Sequence, residues 1–243
     1  WLAAQYLSAA APMVLAGGIV AGALSGVLIC AVSFLPLHDK PNFVVRSMIA
    51  TLAISLIGSQ CLLWAFGPRV KALPKVFGEG TVEFGEVVFT ADKVGAIATS
   101  AVVLLLTLFW MTRSRRGLEI RAMMQNPEGA ALVGIGVRKT ALWVMAVTGG
   151  LAGLAAVLLS QTFFVSPGSG LQPLVKGLIV ALCGGLGSIR GALIAALLIG
   201  ITEAATATYL GGQYVLMTQF GLIIAVLLAR PRGIGGLLDE TRE

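Results

Sequence analysis

Charge is scarce in this sequence. Only 12% of its 243 residues are Asp, Glu, Lys or Arg, about half the share an average soluble domain carries. Histidine is scarcer still: His38 stands alone, beside Asp39 in a turn. That excludes a metal site built on several histidines and disfavours a Ser-His-Asp hydrolase. The three cysteines, Cys30, Cys61 and Cys183, each lie inside an apolar run and show no CxxC spacing. They read as small buried residues rather than metal ligands or disulfide partners. No GxxxxGK[ST] loop occurs, so the chain does not bind ATP by that device, and GxSxG and HExxH are also absent. "GGLGSIRG" (184–191) resembles a nucleotide-binding glycine loop only loosely, without the strand and helix that would flank one. No cofactor or metal is expected.

Apolar residues fill the space that charge leaves. They make up 57% of the chain, and mean hydropathy is +0.94. Uncharged runs of ~20 residues, the length that crosses a bilayer, recur throughout. The expected fold is an all-α polytopic membrane protein of about seven transmembrane segments, near 10–35, 47–66, 93–111, 141–164, 173–187, 189–208 and 213–229. Together they would form a single transmembrane domain over 1–243. The fifth segment is short, and "CGGLGSIRG" (183–191) ties it closely to the sixth. The pair is either two spans or a re-entrant hairpin, which is tolerable only where protein covers its backbone. No repeat of 20–50 residues is evident. The opening "WLAAQYL" has neither an initiator Met nor a signal-peptide pattern. It reads as the tail of an apolar segment, so the natural protein is expected to extend further toward its N-terminus.

The net charge of +6 then reports loops that face the cytoplasm, not a nucleic-acid surface. Twelve of the 17 basic residues fall in 36–46, 112–140, the turn at 188–190 and the C-terminal tail. The remainder are Arg69, Lys71, Lys75, Lys93 and Lys176, and the loop 67–92 is balanced by Glu79, Glu83, Glu86 and Asp92. The positive-inside rule places 112–140 in the cytoplasm and 67–92 outside. With seven spans Trp1 lies outside and Glu243 inside. Within the external loop, "GTVEFGEVVF" alternates and carries glycines, which suggests a short β-hairpin or else a solvated connector.

Two features sit inside the apolar runs. Gly18, Gly22 and Gly26 are spaced four apart, and Gly149 and Gly153 repeat that spacing, a pattern that lets helices approach closely in lipid. Lys176 and Glu203 are ionisable residues at membrane positions, and such charges are costly there. They read either as a structural ion pair, with Lys176 reaching toward the surface, or as part of a solute pathway.

The insert 112–140 holds Arg113, Arg115, Arg116, Arg121, Arg138 and Lys139. Residues 112–125 favour helix and are expected to continue the preceding span. In "NPEGAALVG", Asn126 suits an N-cap, Pro127 the first helical position and Glu128 the first turn, where a carboxylate complements the helix dipole. Ala130 to Val133 extend the helix, and Gly134 suits a left-handed stop. A short capped helix with a small-residue surface could lie on anionic lipid or fit a groove on a soluble partner. The alanines favour the groove.

At this point the chain resembles a family. "EGAALVGI" (128–135) is similar to the cytoplasmic coupling motif of ATP-binding-cassette importer permeases, in which Glu-Ala-Ala precedes a Gly. "RSRRGLEIRAMMQNPEGAALVGI", the glycine-rich "VKGLIVALCGGLGSIRGALIAALLIGITEA" (175–204), "ARPRGIGG" (229–236), "RSMIATLAISLIGSQ" (46–60) and "LPKVF" (73–77) narrow the resemblance to permeases of the branched-chain amino acid type. Gly129 stands where the motif has its first Ala, and the family's N-terminal Asn-Phe-Ala-His-Gly-type signature is missing. The resemblance implies a non-enzymatic transport subunit of a bacterial-type inner membrane. It would pair with a homologous permease subunit, two cytoplasmic ATPases and an extracytoplasmic solute-binding protein. Asn126, Pro127, Glu128, Gly129, Ala130, Ala131 and Gly134 would form the ATPase contact. A secondary transporter or channel working alone is the alternative, and it would need more charged gates than Lys176 and Glu203 supply.

Overall fold

A computed structural model describes residues 11–37, 42–70, 80–84, 87–185, 187–231 and 233–235. His38, Asp39, Lys71, Lys75, Glu79, Glu86, the opening 1–7 and the segment 73–77 lie outside the described residues, as do Arg232 and 236–243. The chain divides into two compact units, Trp1–Pro167 and Gly168–Glu243.

In the first unit, α1 (Ala11–Ile29) and α6 (Val137–Ser160) form the principal contact. The glycine spacing produces it. A Cβ built on Gly22 would fall less than 3.0 Å from the Gly149 carbonyl oxygen, and one on Gly153 would strike the Gly18 carbonyl. Only hydrogen fits between these backbones, so the two helices touch main chain to main chain, the approach that small residues permit in lipid. Beyond Ile29 the helix loosens into a π segment, Cys30–Phe34, and closes with one α turn, Leu35–Leu37. Cys30 and Ser33 are buried in that segment, and the Ser33 hydroxyl has no hydrogen-bond partner. Then follow α2 (Phe43–Phe66), the antiparallel strands β1 (Thr81–Phe84) and β2 (Val87–Thr90), in the register Thr81 to Thr90 and Phe84 to Val87, and α3 (Ala91–Arg113). Hydroxyls inside the apolar helices return to the backbone, as Thr107 does to the Val103 carbonyl at 2.7 Å. In lipid that is the available partner.

The second unit is built from α7 (Leu171–Gly184), α8 (Ile189–Tyr209) and α9 (Val215–Ala229) around Ile179, Cys183, Ala195, Ile199 and Ile223. The turn after α7 needs Gly185 and Gly187, both at positive φ (90° and 91°). The chain then returns: the Ile234 and Gly235 N–H groups donate to the carbonyls of Cys183 and Gly184, each at 2.9 Å. That return satisfies two acceptors which the end of α7 would otherwise leave bare.

Among the described residues, six helices are long and apolar enough to cross a membrane. The expected fifth span is the 14-residue α7, ~21 Å at 1.5 Å per residue and short of a ~30 Å hydrocarbon core. The expected span 141–164 begins earlier and stops at Ser160. There the Ser160 hydroxyl and the Gln161 amide both turn back to the Val157 carbonyl, and such side-chain bonds compete with the helix ladder.

Candidate functional site: the capped insert and a polar triad

The insert does not continue α3, contrary to the sequence-based expectation. Ser114 breaks the helix in extended conformation, and its hydroxyl accepts the Gly117 N–H at 2.9 Å, which starts α4 (Arg115–Gln125) afresh. Gly117 permits the fold-back, because a Cβ there would collide with the Met111 carbonyl. Arg121 locks the corner by donating to the carbonyls of Thr112 and Gly117. Arg116 pairs with Glu119 at 3.0 Å and lies 5.9 Å from the Trp143 ring centre, within cation–π range. It therefore ties α4 to α6.

Next comes α5 (Pro127–Leu132). Asn126 is its N-cap, the side-chain oxygen accepting the Gly129 N–H at 2.9 Å, with Pro127 at the first helical position and Glu128 in the first turn. The C-terminal end is a Schellman closure. Gly134, at φ 86°, donates to the Ala131 carbonyl, and Ile135 donates to that of Ala130, both at 3.0 Å. Gly129 has a local reason to be small, since a Cβ there would lie 3.3 Å from the Asn126 carboxamide carbon and press on the cap. Ala130 is buried, whereas Glu128 and Ala131 are exposed. Leu132 and Val133 stand out at 89% and 77% exposure. The exposed surface of α5 is therefore a blunt apolar tip beside one carboxylate.

In the second unit, Lys176 on α7 and Glu203 on α8 meet, the lysine Nζ lying 2.5 Å from Glu203 Oε1. A third residue joins them: Gln219 on α9 donates its amide N–H to Glu203 Oε2 at 3.0 Å. Gln219 is fully buried, and its Oε1 accepts nothing. One side chain from each helix thus meets at one level. Lys176 is five residues into α7, Glu203 six from the end of α8, and Gln219 four into α9, or ~6–9 Å from the same end of the unit.

The model of the family described as "Branched-chain amino acid transport system / permease component" matches residues 1–227. The chain belongs to this permease family. The permease is 32% identical over 228 residues to the high-affinity branched-chain amino acid permease protein BraD of Pseudomonas aeruginosa, covering 91% of this chain and 73% of BraD. It is likewise 32% identical over 226 residues to LivH of Escherichia coli K12, at 90% and 72% coverage. A shorter likeness, 36% over 110 residues, links it to the nucleoside permease protein NupB of Lactococcus lactis, at 44% of this chain and 29% of NupB. No solved structure matches the permease. It is accordingly a transport subunit of an importer in the membrane, and its relatives are permeases rather than enzymes.

Sequence reasoning missed Ser114, Gly117 and Gln219. Ser114 is an N-cap three residues ahead of the N–H it accepts, a signal the capping rule could have found, whereas only the fold-back against Met111 gives Gly117 meaning. Gln219 did carry a signal, being a lone amide inside the run "VLMTQFGLIIAVLLA". The rule that flags membrane charges applies to it in weaker form.

Proposed function

We propose that this permease provides the translocation path of an ATP-driven importer for branched-chain amino acids or a similar small amphipathic solute. It works beside a homologous permease subunit, with two cytoplasmic ATPases and an extracytoplasmic binding protein. In this reading 112–140 faces the cytoplasm, and 126–134 is the contact through which the ATPases move the spans. The observation that carries it is α5 itself, a helix closed at both ends by its own caps and presenting Leu132 and Val133 to its surroundings. Apolar side chains so exposed on a rigid knob suit a groove on a protein partner. Branched-chain solutes follow from the two longer relatives, and the likeness to NupB keeps the solute class broader than the fold.

The test is coupling. In the assembled transporter, Glu128→Arg and Gly134→Leu are expected to lower ATP-driven uptake at least about tenfold while the subunit still inserts. The first reverses the charge beside the tip, and the second forces a branched side chain into a left-handed backbone. Full uptake in both variants would remove α5 from the coupling contact.

A further inference from the structure

In lipid, the triad on α7, α8 and α9 is costly. The Lys176 and Glu203 side chains are 37% and 34% exposed on the second unit, so their charged ends are not sealed by their own helices. Exposed charge of this kind at membrane depth meets water or protein, not hydrocarbon. The unused valences are specific. A lysine ammonium has three donors, and one goes to Glu203. The Glu203 carboxylate accepts from both neighbours yet keeps lone pairs. The Gln219 Oε1 is a buried acceptor with nothing to accept, a group that ordinarily finds a donor.

We propose that Lys176, Glu203 and Gln219 form a subsite on the solute path that receives a zwitterionic head group. The solute's carboxylate takes the free donors of Lys176, and its ammonium donates to Glu203, which the buried Gln219 amide holds in place. The triad suits a zwitterion because it is itself a neutral pair of opposite charges. Such a ligand adds one charge of each sign and leaves the site neutral, whereas a singly charged solute leaves one buried charge uncompensated. This subsite rests on the permease reading above, since it is useful only along a translocation path. Gly200, one turn from Glu203 on the same helix, leaves room beside it: a Cβ there would meet nothing within 4 Å.

The experiment compares inhibition of radiolabelled L-leucine uptake by leucine, by leucinamide (no carboxylate) and by 4-methyl-2-oxopentanoate (no ammonium), in wild-type and variant complexes. The same binding protein serves every variant, so any change in the ratios belongs to the permease. A lost charge-assisted hydrogen bond is worth on the order of tenfold or more. Lys176→Met is therefore expected to erode the preference for leucine over leucinamide about tenfold, and Glu203→Gln the preference over the keto acid. Gln219→Leu should shift the keto-acid ratio in the same direction by less. Unchanged ratios in variants that still carry leucine sink the subsite and leave the permease reading standing. A wild-type complex without ATP-dependent uptake of leucine overturns the branched-chain choice of solute and the subsite with it, and leaves the permease reading to be tested on other solutes.

If the charge variants fail to assemble, labelling decides. Gly200→Cys, made in a chain whose native cysteines are replaced, is treated with a cationic, membrane-impermeant thiol reagent. Protection by leucine but not by leucinamide is expected. A cysteine that never reacts, because lipid or the paired permease subunit covers it, counts against the proposal, as does one that leucine leaves unprotected.

Discussion

At the scale of single residues, the informative groups are those whose surroundings leave them little choice. Lys176 and Glu203 hold one another, and removing either leaves the other unpaired at membrane depth. Partial exposure softens the penalty, placing it at about 1–3 kcal/mol, between surface and buried pairs. Lys176→Met and Glu203→Gln should therefore each lower the thermal stability of the purified complex, while the double variant recovers part of the loss. A double variant whose loss equals the sum of the two single losses would mean that the two charges act independently. The pair was legible in the sequence because charges stand out in apolar runs. Gln219 was not, because an uncharged amide stands out far less, and only the convergence of three helices shows what it does. The caps of α5 were legible residue by residue, since Asn126, Pro127 and Gly134 act through bonds to backbone a few positions away. Gly117 failed the same reading because its effect depends on Met111 being folded against it, whereas Ser114 caps α4 through a bond as local as that of Asn126 and was overlooked.

At the scale of elements, the contact between α1 and α6 is the sharpest structural claim. Gly149→Val would drive a branched side chain into the Gly22 carbonyl and the Gly26 Cα, and overpacking of this kind costs about 1–3 kcal/mol or more. Gly58→Ala on α2 meets open space and should stay within about 0.5 kcal/mol of the parent. Thermal unfolding of the two variants in detergent checks the contrast, and equal stability would show that the helices do not touch at their backbones. The glycine spacing announced this contact in the sequence, although spacing alone could not say which stripe meets which. Helix ends were harder to read. The close of α6 at Ser160 and the break between α3 and α4 are settled by hydroxyls bonding to nearby backbone, and the same residues are tolerated inside helices elsewhere.

At the scale of the whole molecule, hydropathy made the membrane class plain, while the count of crossings stayed open because α7 is intrinsically short. Orientation rests on the distribution of Lys and Arg, and intact cells can test it. An engineered cysteine near Glu83 should react with an impermeant reagent, and one at Gln125 should not, in a background where the exposed Cys61 is replaced. The reverse pattern would turn the proposed topology over, coupling contact included. The return of Ile234 and Gly235 onto the end of α7 adds a constraint of order in time. The two carbonyls it satisfies are synthesised a full helical hairpin before their donors. The contact is therefore incomplete until residues 234–235 have left the ribosome, and insertion of α7 runs ahead of its own closure. A chain stopped before Ile234 should consequently insert but be cleared by quality-control proteases faster than one ending after Gly236, and pulse-chase lifetimes measure the difference. Equal lifetimes would show that water or lipid headgroups serve those carbonyls as well as the tail does.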